Sequence, residues 1–236
     1  MTLDAHGFHV FPDAINPALI ADITTEIEHH LAAHPPQRRR DRAGLRDLFE
    51  TCPATRNLLA EPGIIQPVTD ALGPNAAAVR VLYFDKQPDT NWHVGWHQDL
   101  TIAVDQQADA PGFGPFSTKA GVTHCKAPAS LLENMLAVRV HLDDCGPDNG
   151  PLQCLPGSHG LGVLDPADIM PVVHAGTPQT CTVNQAGLVL MRPLCLHASS
   201  PATAPRHRRV IHLEFAADPL PTPLEWHQRH CMPHPV

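Results

Sequence analysis

Apolar and polar positions change rhythm once along the chain. Residues 6–11, His-Gly-Phe-His-Val-Phe, alternate and predict a short strand. Asn16-Pro17 then supplies an N-cap and a proline at the first helical position. Leu19, Ile20, Ile23, Ile27 and Leu31 recur at helical spacing to about residue 33, and Pro35-Pro36 ends that helix. Short helices are predicted over 45–50, 53–60 and 62–72. Past Gly73-Pro74 the spacing turns to strands, over 78–85, 95–104, 134–143, 151–155, 180–184, 187–191 and 208–216. Gly/Pro-rich turns separate them, with no regular helical crossover, so an antiparallel double sheet preceded by helices is expected. Residues 105–129 read as one Gly/Pro-rich loop, and a loop of that length is functional or disordered. The tail, 217–236, carries little pattern.

With 236 residues the chain is long enough for one domain with a sizeable core and short for two full-sized ones. No repeat or linker divides it. One domain over 1–236 is therefore expected, with a helical part over about 13–73 and a β core over about 78–216. Lys+Arg 16 against Asp+Glu 24 gives −8, which argues against nucleic acid and against an anionic membrane surface as partners. No apolar run approaches the roughly 18–20 residues of a membrane span. The opening Met1-Thr2-Leu3-Asp4-Ala5-His6 lacks the basic and apolar regions of a signal peptide. The cysteines, Cys52, Cys125, Cys145, Cys154, Cys181, Cys195 and Cys231, form no C-x-x-C pair. Reduced thiols in the cytoplasm are expected, rather than a disulfide framework or a zinc knuckle. The run Arg38-Arg39-Arg40 with Arg42 reads as a solvated basic loop.

The 17 histidines have to be sorted by position. In Trp96-His97-Gln98-Asp99, His97 and Asp99 are two apart and project from one face of a strand. An imidazole and a carboxylate so placed can share one side of a metal ion. A second histidine from a facing strand would complete a 2-His-1-carboxylate triad, the donor set of iron(II) oxygenases. Residues 188–199 run as an apolar strand into His197, with Ser199 two residues on. Arg208 and Arg209 then open another strand. An arginine entering an apolar barrel needs an anion, and a dicarboxylate would supply one with bidentate geometry. Ser199 is placed to donate to the same carboxylate.

Three blocks in order resemble the phytanoyl-CoA dioxygenase family of Fe(II)/2-oxoglutarate oxygenases. They are Trp96-His97-Gln98-Asp99, then Asn149-Gly150-Pro151-Leu152-Gln153-Cys154-Leu155-Pro156-Gly157-Ser158-His159, then His197-x-Ser199 with Arg208 eleven residues after the histidine. The likeness spans about residues 6–216. It implies a mainly β fold, a double-stranded β-helix (jelly roll, cupin-like) with flanking N-terminal helices. It implies His97, Asp99 and His197 as iron ligands, Arg208 as the anchor for the distal carboxylate of 2-oxoglutarate, and Ser199 as its helper. Arg209 competes with Arg208, because strand parity is open by one. The implied activity uses O₂ to convert 2-oxoglutarate to succinate and CO₂ while oxidising a small organic substrate. Related halogenases lack the acidic ligand, so Asp99 favours hydroxylation. Desaturation, epoxidation and ring expansion stay open, and residues 105–129 are a plausible lid.

Other positions carry two readings each. Arg139 and His141 share one strand face, either a polar outer surface or a pocket wall that holds an anionic part of a substrate. Arg80 is divided between a salt bridge and a cosubstrate contact. Thr101 extends the face of His97 and Asp99 as a further cosubstrate candidate. Trp92 and Trp96 either shape the pocket or pack. His159, after a turn, and His93, four before His97, are weak alternative ligands. His29-His30, His207, His212 and His227/His230/His234 are expected at the surface. Two rival functions are a non-catalytic jelly-roll binding protein, which has no need of an intact triad plus Arg208, and a zinc hydrolase, which gives no reason for a strand-borne arginine.

Overall fold

A computed structural model describes residues 2–35 and 44–233. Pro36, the Arg38-Arg39-Arg40 and Arg42 run and His234 lie outside them. Helix α1 (Thr2–His6) leads into strand β1 (Phe8–Phe11). Helix α2 (Pro17–Ala33) starts at the expected cap, Asn16 Oδ1 accepting from the Ala18 amide at 3.0 Å, and buries Ile20, Ile23 and Ile27. The expected 45–50 helix divides into strand β2 (Gly44–Arg46) and a turn of helix α3 (Leu48–Thr51). Pairing overrides local propensity there, because Gly44, Leu45 and Arg46 lie against Phe84, Tyr83 and Leu82. A 3-10 helix over Pro53–Ala60 and helix α4 (Pro62–Leu72) complete the helical part.

The β part runs β3 (Ala77–Lys86), β4 (Val94–His97), β5 (Thr101–Val104), β6 (Phe116–Lys119), β7 (Val122–Lys126), helix α5 (Ala129–Leu132), β8 (Met135–His141), β9 (Leu152–Cys154), helix α6 (Pro166–Ala175), β10 (Gln179–Cys181), β11 (Leu188–Met191), β12 (His197–Ser199), β13 (Arg208–Ala216) and β14 (His230–Cys231). The major sheet has the order β1-β11-β8-β13-β3-β14 with β2 beside β3, and the minor sheet β10-β9-β12-β4. The chain passes from one sheet to the other at β3–β4, β8–β9, β10–β11, β11–β12 and β12–β13, all pairs being antiparallel. That is the jelly roll.

Residues 105–129 are not a plain loop, since β6 and β7 form a hairpin on β5. The sequence also gave no warning of α6, nor of β14 pairing with β3 from within the tail.

Both faces of the major sheet are covered. Val81, Tyr83, Val138, Val140, Ile211, Leu213 and Phe215 pack under the helices with Ile20, Ile23, Ile27, Phe49 and Ile64. Each such side chain contributes about 1.5–3 kcal/mol by leaving water. The alternate positions line the barrel. Across β13 and β3 they pair as Arg208 with Lys86, Val210 with Phe84, His212 with Leu82 and Glu214 with Arg80. On the other side, β8 sets His141 opposite Val210 and Arg139 opposite His212.

Candidate active site

Strands β4 and β12 pair with His197 opposite His97. Asp99 follows, its amide donating to the Pro193 carbonyl at 2.9 Å. His97 Nε2 stands 3.7 Å from Asp99 Oδ1, and His197 Nε2 stands 3.6 Å from Asp99 Oδ2. One ligand atom from each of the three lies within 4.8 Å of the others. Backbone carbonyls orient both rings: His97 Nδ1 lies 2.8 Å from Gly95 O, and His197 Nδ1 lies 2.9 Å from Cys195 O. A proton on each Nδ1 leaves the Nε2 lone pairs facing Asp99, the usual outer-shell arrangement of a ligating histidine. Burial pulls His197 down to about 4, against the upward pull of Asp99, so the ring is neutral at pH 7. Burial raises the Asp99 carboxyl, but His197, His212, His97 and Arg139 outweigh it and hold it below its ordinary value. Two imidazoles and a carboxylate with open positions suit iron(II), whereas a closed zinc site would need a fourth protein ligand.

Gln98, between His97 and Asp99, points to the other face of the strand. Its Nε2 donates to Gly162 O at 2.7 Å and Leu194 O at 2.8 Å, and its Oε1 accepts from the Leu164 amide at 2.9 Å. The segment that carries His97 and Asp99 is thereby tied to the segments before β12 and α6.

Arg208 points into the barrel and is 4% exposed. Its Nη1 donates to Gly150 O and to Ser199 Oγ, the latter at 3.1 Å. Lys86, 1% exposed, donates from Nζ to Ser199 Oγ at 2.7 Å and Ser200 O at 2.8 Å. Ser199 in turn donates to Gly150 O at 3.0 Å. Gly150 must be glycine: its φ is +61°, and a Cβ would stand 2.6 Å from Ser200 O. Among the described residues neither cation has a carboxylate within ion-pair distance, and Arg208 Nε, buried, has no partner at all. Burial, then Arg208, pulls Lys86 down to about 7, and burial, then Arg139, pulls Arg208 down to about 10. Two buried cations held only by hydroxyl and carbonyl oxygens fit a ligand carboxylate.

Residues 3–210 match the phytanoyl-CoA dioxygenase (PhyH) family. The chain belongs to that family. Solved structures share the fold. EctD from S. alaskensis, in its apo form, is 19% identical with a TM-score of 0.70, over 94% of this chain and 78% of that one. AviO1 from Streptomyces viridochromogenes is 21% identical with a TM-score of 0.67, over 94% of both chains. HygX from Streptomyces hygroscopicus, with nickel and 2-oxoglutarate bound, is 16% identical with a TM-score of 0.65, over 91% of this chain and 84% of that one. No curated protein matches by sequence.

Within this PhyH chain the remaining expectations sort by strand face. Arg139 and His141 are not on an outer surface; they face into the barrel. Arg139 Nη1 lies 3.2 Å from His212 Nδ1, and burial, then Arg139 and Arg208, push His141 to about 3. His212, expected at the surface, is buried. Arg80 stands at the opposite end of β3 from Lys86 and pairs with Glu214 at 2.9 Å, which is the salt-bridge reading. Thr101 lies beside Asp99 rather than in the Arg208 cradle. Trp96 faces away and packs against Leu155, Val173 and Leu196, while Lys86 Nζ sits 5.6 Å from the Trp92 ring centroid. His93 is exposed and His159 lies against Gly7, so neither joins the triad. The block from Asn149 to His159 supplies scaffold: Asn149 Nδ2 donates to His207 O at 3.2 Å, and Ser158 Oγ accepts from the Leu196 amide at 2.8 Å just before His197. Sequence reasoning missed Lys86. Its parity with Arg80, Leu82 and Phe84 was the available signal.

Proposed function

We propose that the chain is an iron(II)- and 2-oxoglutarate-dependent oxygenase, a single domain over 1–236, that hydroxylates a small organic metabolite. The observation that carries this is an intact His97–Asp99–His197 triad in the same barrel as a buried cationic cradle without an anion. Iron(II) with 2-oxoglutarate and O₂ would supply the oxidising power, the oxoacid leaving as succinate and CO₂. His97 and His197, fixed through Nδ1, would offer lone pairs, and Asp99 the charge. Arg208 and Lys86 would hold the distal carboxylate, Ser199 turning its hydroxyl from Gly150 O to the ligand. Asp99 fills the position that halogenation would need open. The β6–β7 hairpin would serve as the cover that keeps water out. Seven free cysteines, six of them buried, suit a reducing compartment such as the cytoplasm.

Anaerobic titration tests the reading. A visible charge-transfer band is expected only when iron(II) and 2-oxoglutarate are both present, and it should vanish in His197→Ala. Formation of the complex without the oxoacid contacting the metal, or zinc-supported hydrolysis, would defeat it.

A further inference from the structure

Beyond the oxoacid cradle the barrel still carries excess positive charge. A narrow cleft with about 10 Å³ of free space, enough for one water-sized atom such as a single oxygen of an anionic group, lies at the Arg80 end of β3, lined by Arg46, Arg80, Leu82, Ala103, His124 and Gln228. Arg80 is ion-paired there with Glu214, which lines the neighbouring cavity beside Asp99, so the cleft adjoins the metal site. Arg46 has no hydrogen bond or ion pair among the described residues. His124 is 1% exposed, its Nδ1 is 3.0 Å from Val122 O, and among the described residues its Nε2 has no hydrogen-bond partner. Asp47, the one acid lining the cleft, already accepts from Gln228 Nε2 at 2.6 Å and lies 3.5 Å from His227 Nε2. Lys86, Arg208, Arg139, Arg80 and Arg46 thus stand against Asp99, Glu214 and Asp47. A divalent cation and a dicarboxylate bound as proposed above cancel each other and leave that excess in place.

We propose that this cleft is the part of the substrate pocket that receives an anionic group, a carboxylate or a phosphate, of the metabolite being oxidised, with Arg46 and Arg80 as its cationic partners and His124 Nε2 as its third contact. The identity of the ligand as the oxidised substrate rests on the oxygenase reading; the anion site itself does not. His124 supports the assignment. Burial and then Arg80, with Arg46 and Lys119 behind it, lower its pKa, while its bond to Val122 O acts the other way; Asp47 and His227 are the other titratable groups lining the cleft. An anion between the arginines cancels their repulsion, and Nε2 then takes a proton and donates it to the ligand.

The test uses the full chain loaded with zinc(II) and saturating 2-oxoglutarate, which keeps an anion probe off Arg208 and the metal. Inorganic phosphate and, separately, acetate are titrated while the His124 ring nitrogens are followed by long-range ¹H–¹⁵N correlation. A saturable move of His124 to the imidazolium pattern is expected, about tenfold or more weaker in Arg46→Gln and largely restored in Arg46→Lys. The anion that saturates lower names the group, phosphate ester or carboxylate. If neither anion gives a saturable His124 shift, or Arg46→Gln binds as the unaltered chain does, the proposal is overturned. Oxoacid binding is read in the same sample by calorimetry. An anion shift without oxoacid binding would remove the oxygenase reading and keep the cleft, and the reverse would remove the cleft alone.

Discussion

β13 carries two adjacent arginines whose surroundings have little in common. Arg209 faces out, donating from Nε and Nη2 to Asp143 at 2.9 and 2.6 Å and from Nη1 to Glu28 at 2.6 Å. Asp143 raises its pKa above the ordinary value. Arg208 faces in, beside a buried lysine, and burial lowers it instead. The outward side of the major sheet has satisfied its charges at the helix boundary and otherwise buries hydrocarbon. The inward side pairs Arg80 with Glu214 but, among the described residues, leaves Lys86 and Arg208 without acids. An arginine that has found its carboxylate supports the fold, and one buried without a carboxylate marks a ligand.

That contrast predicts functional losses from the inner side and structural losses from the outer side. The largest effect belongs to His97→Ala and His197→Ala, which should lose most iron affinity and all coupled turnover with circular dichroism unchanged. Either variant retaining turnover would mean that the ligands are elsewhere. Next, Arg208→Ala should raise the Michaelis constant for 2-oxoglutarate by a hundred- to a few-thousand-fold, since breaking a buried pair costs about 3–5 kcal/mol and about 1.4 kcal/mol is tenfold. Iron affinity should hold, and Arg208→Lys should recover part. An equal effect from Arg209→Ala would erase the contrast.

Lys86 sharpens it through pH. With its pKa near 7 it is mostly neutral at about pH 8, and a bound carboxylate raises it. Oxoacid binding should therefore take up close to one proton at about pH 8 and weaken as pH rises from about 7 to 9. Calorimetry in buffers of different ionisation enthalpy reads this, and Lys86→Met should abolish the uptake. Arg209→Ala should cost about 1.5–3 kcal/mol in urea unfolding, mainly through Asp143, while leaving the oxoacid constant within about twofold. Glu28, largely exposed, adds little. The smallest effect is expected in the hairpin. Hydrogen exchange over 116–126 should slow when oxoacid and substrate are present, and equal protection with and without them would argue against a cover.

The positions that the structure brings together as His97, Asp99 and His197, and the inward face of Arg208, were legible because strand geometry enforces two-residue steps, whereas the jelly roll and the roles came from the likeness to the family. His97 with Asp99 and His197 with Ser199 are two-residue steps on one face. The direction of a face was not legible. Alternation groups Arg139 with His141, but both sides of the major sheet are buried, one under helices and one inside the barrel, so polarity alone did not say which was which. His212 was misplaced for that reason. Lys86 escaped because the apolar run suggested an end at Asp85, one residue short of the strand's inward-facing terminus. β2 and β14 depend on partners far along the chain and leave no local signature.

Those two short strands have a consequence for biosynthesis. On the side away from β13, β3 is covered by β2 over Leu82–Phe84 and by β14 over Ala77–Ala78. The second patch arrives only with residues 230–231, which follow β13 in the chain. A nascent chain thus holds an open strand edge until residues 230–231 leave the ribosome, and during that interval the sheet is a template for a neighbouring copy.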